Sequence, residues 1–272
     1  MAHPECMQRK GFWATVVLAT VVSVLTVLGT TGPAGAVATS TTGRVGPGTQ
    51  LVTGGRSCTA GFVFRDAAHR TYLGYAASCA TRSGAASACA ARALPAGTVV
   101  RLADRGRTLG YGVLRYSSLR ALKAAGVSDA ATCAANDFAL VQLRGALARR
   151  ARAAMPYWGG PTGLAALPSA GSTVFGLART SATSRTIPRA GQVTSTAGSA
   201  ATVSTLLPST RADRGTGFLD DAGRAVGILT GSSTSGANAV VSLADVVAYA
   251  AAHGVPGLTL VQGGAFSGSA VL

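Results

Sequence analysis

The chain has 272 residues, 48% of them hydrophobic, and a formal net charge of +15. That length holds one large or two small domains, and an all-β double barrel fits within it. The charge is almost all arginine, since Lys10 and Lys123 are the only lysines. The arginines are scattered and cluster only at Arg149-Arg150-Ala151-Arg152, with no aromatics interleaved as a stacking platform, so nucleic acid is not the expected partner.

Residues 1–38 read as an export signal. Arg9 and Lys10 give the positive start, Phe12 to Leu28 is a nearly unbroken apolar run, and Ala34-Gly35-Ala36 or Ala36-Val37-Ala38 supplies a small-residue cleavage site. The run is somewhat long for a signal, so an uncleaved membrane anchor is the alternative. After cleavage the protein is expected to be secreted and free of the membrane. The only other long apolar stretch, Ala239 to Ala252, is broken by Ser242 and Asp245.

Thr39 to Gly55 is rich in Thr and Gly and reads as a flexible lead-in. Strand signals follow. Ala60 to Phe64 and Thr71 to Tyr75 flank a turn at Asp66-Ala67-Ala68-His69, and Val99 to Leu102, Leu109 to Leu114 and Phe138 to Leu143 continue the pattern. Beyond an arginine-rich crossover at 144–155 come short β-rich runs at Thr173–Leu177, Gln192–Ser195, Thr202–Leu206, Gly217–Leu219, Ala225–Leu229 and Ala239–Ser242. Turn residues separate them at even spacing, as in barrels or sandwiches. Asp220-Asp221-Ala222-Gly223 is a hairpin turn. Two segments look helical: Ser117 to Ala125, and Leu243 to His253, which stops at Gly254 with Pro256 beyond.

Cys6 leaves with the signal, so the mature chain carries Cys58, Cys79, Cys89 and Cys133. An even number in an exported chain points to disulfides. Of three pairings, the local one, Cys58–Cys79 with Cys89–Cys133, closes loops compatible with one domain. Free buried thiols are the alternative. No CxxC-like spacing suggests a metal, and no P-loop, dinucleotide fingerprint, EF-hand or HExxH pattern suggests a cofactor.

Three segments carry a family resemblance. Cys58-Thr59-Ala60-Gly61-Phe62-Val63-Phe64 with Tyr72 to Cys79 resembles the first-barrel hairpin of secreted bacterial trypsin/chymotrypsin-like serine proteases, in which the residue before the cysteine is the histidine base. Asn136-Asp137-Phe138-Ala139-Leu140-Val141 is similar to the segment supplying the triad aspartate. Asp213-Arg214-Gly215-Thr216-Gly217-Phe218-Leu219-Asp220 is similar to the nucleophile loop. The segments occur in the family's order, and the resemblance spans about residues 51–260. It implies two six-stranded antiparallel β-barrels, over 56–148 and 149–272, the second with a short C-terminal helix and tail, and a monomer.

Carried over residue by residue, the resemblance puts Ser78 at the base position, Asp137 at the orienting carboxylate and Arg214 at the nucleophile. A serine hydroxyl has no basic nitrogen for the proton transfer, and a guanidinium is donor-only and cannot attack a carbonyl. The oxyanion-hole region is Ala212, Asp213 and Arg214, where the family has a glycine at the first position. Asp213 is expected to pair internally beneath its loop. Arg214 is expected to reach across to Asp137 as a charge-assisted partner, with Ser78 as an additional donor. These substitutions imply a homologue without peptidase activity, acting as a binding or regulatory module for a protein or peptide in the former substrate cleft. Residual peptidase or esterase activity, and a basic surface for an anionic polymer, are the alternatives.

Overall fold

The computed structural model describes residues 43–82, 90–179, 185–233 and 235–268. The expected signal and Cys89 lie outside them. The first half contains β1 (Gln50–Thr53), β2 (Arg56–Thr59), β3 (Phe62–Arg65), β4 (Thr71–Tyr75), β5 (Val99–Asp104) and β6 (Arg107–Ser117). It continues through the short helices α1 (Ser118–Ala124) and α2 (Ala130–Ala135) to β7 (Ala139–Leu143) and α3 (Gly145–Arg150). The second half contains β8 (Thr173–Arg179), β9 (Thr186–Ala197), β10 (Ala200–Thr205), β11 (Gly217–Leu219), β12 (Ala225–Gly231), β13 (Ala237–Ser242), α4 (Leu243–Ala252) and β14 (Thr259–Leu260).

The second half closes as a six-stranded barrel in the order β10-β13-β12-β11-β8-β9. The first forms an eight-stranded sheet, β14-β3-β4-β7-β6-β5-β1-β2, where a six-stranded closed barrel was expected. Its two ends are nevertheless successive stretches of one chain. β2 leads through Ala60 and Gly61 into β3, with Ala60 N–H donating to Thr49 O (2.8 Å) and Gly61 N–H to Gly74 O (2.8 Å). One bent run therefore pairs with β1 at its start and β4 at its end, and the sheet curls back on itself. β14, from the C-terminal tail, is added outside β3 through Thr259 opposite Arg65.

The two-residue strand period sorts the apolar side chains into three cores. Val63, Leu73 and Val141 point into the first sheet's interior. Phe218, Val226 and Val240 fill the second barrel. Their neighbours on the same strands, Phe62, Phe64, Tyr72, Leu140, Leu219 and Val241, share a third core that also takes in Trp158 and Phe175 from the second half. This explains why β4, β7 and β11 are buried at every position. On α4 the buried residues are Leu243, Val246, Val247 and Ala250, one face of a helix, with Ser242 Oγ accepting from Asp245 N–H at its start (3.3 Å).

The expected flexible lead-in is partly built into the fold. Val45 and Leu51 are fully buried, and Gln50–Thr53 form β1 because their alternate residues face the first core.

Candidate functional site

Asp137 lies between α2 and β7, and its backbone is fixed from both sides. Asn136 ends α2 with its Nδ2 donating to Thr132 O (3.0 Å). The Ser118 hydroxyl at the start of α1 donates to Asn136 O and accepts from Phe138 N–H (3.0 Å). Ser78 sits in the 3-10 turn Ala77–Ala80 that follows β4. The turn is tied to β2 by the Cys58–Cys79 disulfide and closed by Thr81 Oγ1 donating to Ser78 O (2.9 Å).

These supports bring Ser78 and Asp137 into direct contact. Ser78 N–H donates to Asp137 Oδ1 (2.6 Å) and its hydroxyl donates to Oδ2 (2.8 Å). Asp137 is only 6% exposed. Burial raises its pKa above the ordinary carboxyl value, outweighing the two Ser78 hydrogen bonds and the more distant charge of Arg214, which pull it down.

The expected Arg214–Asp137 ion pair is not formed: among the described residues the ion pairs are Arg70–Asp66, Arg189–Asp213 and Arg224–Asp220. Instead the Ser78 N–H and hydroxyl contact the two carboxylate oxygens. Arg214 is half-buried, its Nε is enclosed without a hydrogen-bond partner, and its charge reaches Asp137 only through space.

The loop that carries Arg214 is a second 3-10 turn, Arg211–Asp213. Asp213 N–H donates to Thr210 O (3.1 Å) and Arg214 N–H to Arg211 O (3.4 Å), so both are turned back along the chain. The outer side of the turn is docked on β2. Thr59 Oγ1 donates to Ala212 O (2.8 Å) and Thr59 N–H to Arg214 O (2.9 Å). An oxyanion site needs free N–H groups converging on one point, and the Arg214 N–H does not meet that requirement. The Thr216 hydroxyl is buried without a partner, and neither remaining histidine of the described chain bonds Asp137. His69 occupies the β3–β4 turn, and His253 stacks on Tyr249 at the end of α4 (ring centroids 4.1 Å).

Asp213 is 1% exposed and does pair beneath its loop. Its Oδ1 accepts from Arg179 N–H (2.7 Å). Its Oδ2 accepts from Thr210 N–H (2.7 Å), Thr210 Oγ1 (3.1 Å) and the Arg189 guanidinium (3.3 Å). Arg189, 2% exposed, also donates to Ser209 Oγ. Arg179 reaches Gly48 O in the first half (2.6 Å). These two arginines were not foreseen. Arg189 lies in β9 ahead of the Gln192–Ser195 run read from the sequence and directly after Pro188, so nothing local set it apart from a solvated surface arginine.

Cys58–Cys79 is one of the expected disulfides, with Cα atoms 6.2 Å apart. Cys133 is buried and disulfide-bonded. Its expected partner, Cys89, lies outside the described residues.

No protein-family model matches the chain, and the comparison with curated proteins finds no match. Solved structures are similar. A Glu endopeptidase in complex with MPD is 15% identical, with a TM-score of 0.50 over 75% of this chain and 89% of that one. Thermobifida fusca Protease A is 16% identical over 80% of this chain and 99% of that one (TM-score 0.49). Nocardiopsis protease is 17% identical over 79% and 98% (TM-score 0.48). The likeness to the Glu endopeptidase shows the fold: this is a chymotrypsin-like serine protease fold.

Proposed function

We propose that the chain is an exported protease homologue that does not hydrolyse peptides and uses the former substrate cleft as a binding or regulatory surface for a protein or peptide. The observation that carries this reading is the closed pair of Ser78 and Asp137. Ser78 spends its N–H and its hydroxyl proton on Asp137 and has no basic nitrogen to take up a proton near neutral pH, and Arg214 offers no nucleophile. The inward N–H of Arg214 supports the same reading, and the Cys58–Cys79 disulfide favours an oxidising, extracytoplasmic compartment. No helix among the described residues is long and apolar enough to cross a membrane.

The test is to treat the purified protein with a fluorophosphonate probe and, separately, with casein. Neither labelling nor turnover above buffer is expected. Labelling abolished by a single Ser or Thr substitution would overturn the proposal.

A further inference from the structure

Four cations converge on a cavity of about 370 Å³ whose lining includes none of Ser78, Asp137 and Arg214. Arg120 and Lys123 project from α1, three residues apart and so on one face of the helix, beside the buried Leu119. Arg82 and Arg92 face them from two chain segments held together by the Thr81–Ala93 bridge and by Arg82 N–H donating to Arg92 O (2.9 Å). None of the four is in an ion pair among the described residues. No carboxylate is among the described lining residues, and Ser83 to Cys89, which joins the two arginine segments, contains none in sequence.

Like charges gathered around one cavity repel one another, and α1 and the Thr81–Ala93 bridge hold the backbone that carries them. A multiply charged anion would relieve that repulsion. Arginine forks match the geometry of phosphate oxygens, and a lysine adds a point charge. We propose that Arg82, Arg92, Arg120 and Lys123 form a binding site for a multiply charged phosphate group, either a small polyphosphorylated molecule or part of a phosphodiester polymer. The site does not use Ser78, Asp137 or Arg214 and depends on neither their activity nor their inactivity.

The experiment is calorimetric titration of the purified protein with inorganic pyrophosphate and, separately, with a short poly(glycerol phosphate) chain, at about 50 mM salt, where screening is limited. Arg120→Ala/Lys123→Ala is compared with Arg65→Ala, an exposed arginine on β3 used as control. Circular dichroism establishes that both variants fold. The expected result is binding weakened by roughly tenfold or more in the double variant, as loss of charge-assisted contacts implies, and unchanged in the control. Pyrophosphate binding with this pattern assigns a small phosphate ligand; polymer binding alone with this pattern assigns the polymer. Binding of neither probe, or equal binding by the double variant and the control, would overturn the proposal.

Discussion

Asp137 holds a carboxyl group with two short hydrogen bonds and almost no water. Burial is the largest influence on its proton affinity, and the folded-state pKa lies above the ordinary 3.8. The sign follows: its stabilising contribution is complete below that value and is lost as pH rises through the folded pKa, because the native state holds the proton longer than the unfolded chain does. Asp137→Asn keeps an acceptor for Ser78 N–H and removes the charge. It is therefore expected to match the wild type near about pH 4 and to gain unfolding free energy relative to it towards about pH 8, read by urea titration at each pH. A growing deficit at high pH would mean that Ser78 and Arg214 stabilise the carboxylate more than burial penalises it. Asp213 accepts from four donors, one of them the Arg189 guanidinium. Asp213→Ala strands a buried guanidinium and is expected to lose about 3–5 kcal/mol in the same titration. Installing an imidazole and a hydroxyl by Ser78→His with Arg214→Ser leaves the N–H of residue 214 directed at Arg211 O. Fluorophosphonate labelling of that double variant is expected to stay at background, since losing one oxyanion donor alone slows such chemistry about 10²–10³-fold. Rapid labelling would show that the turn opens.

At the scale of elements, the site depends on two short turns being clamped to β2. The Cys58–Cys79 bridge holds the Ser78 turn, and Thr59 holds the Arg214 turn from the next residue along. Replacing both cysteines by serine is expected to lower the urea midpoint, at a cost of about 2–5 kcal/mol for a loop of this size. Gly215 sits where the second clamp is tightest. Its φ is +90°, and a Cβ there would lie 2.4 Å from Thr59 O and 2.8 Å from Tyr75 Cβ. Gly215→Ala should therefore destabilise by more than about 1 kcal/mol, through both backbone strain and collision. Many elements were legible from pattern: α4 from its apolar face and its Gly254 stop, α1 from its Ala and Leu content, and the Asp220 turn. β2 was missed because Arg56-Ser57-Cys58-Thr59 carries little apolar signal; it is a strand because β1 pairs with it. α2 was missed because six residues give no period to read.

Across the molecule, the C-terminal tail joins the two halves. β14 extends the first sheet, Leu258 is buried in the shared core, and Phe266 packs edge-on against Phe175 of the second barrel (centroids 5.3 Å). Ending the chain after Gly257 removes both side chains from that core. The expected loss is about 2–5 kcal/mol, from roughly 1.5–3 kcal/mol for the buried Leu258 and about half of that for the half-buried Phe266, with a lower midpoint in thermal unfolding. An unchanged midpoint would mean that the tail only lies on the surface.

By itself, the sequence determined the β-rich class, the position of many strand runs, and which residue types stand at the motif positions 78, 137 and 214. These are local properties: alternation, turn residues and identity at a motif position are written in neighbouring letters. Only the tertiary structure decided what those residues do to one another. Ser78 and Asp137 are 59 residues apart, and whether Asp137 would meet an arginine or a serine depended on side-chain reach within a buried space. The sequence favoured the opposite charge; the fold gave the carboxylate to the nearer, smaller donor. The same holds for Arg189 and Asp213, and for the four cations around α1. Charge is visible in a sequence, but its burial and its partners come from packing.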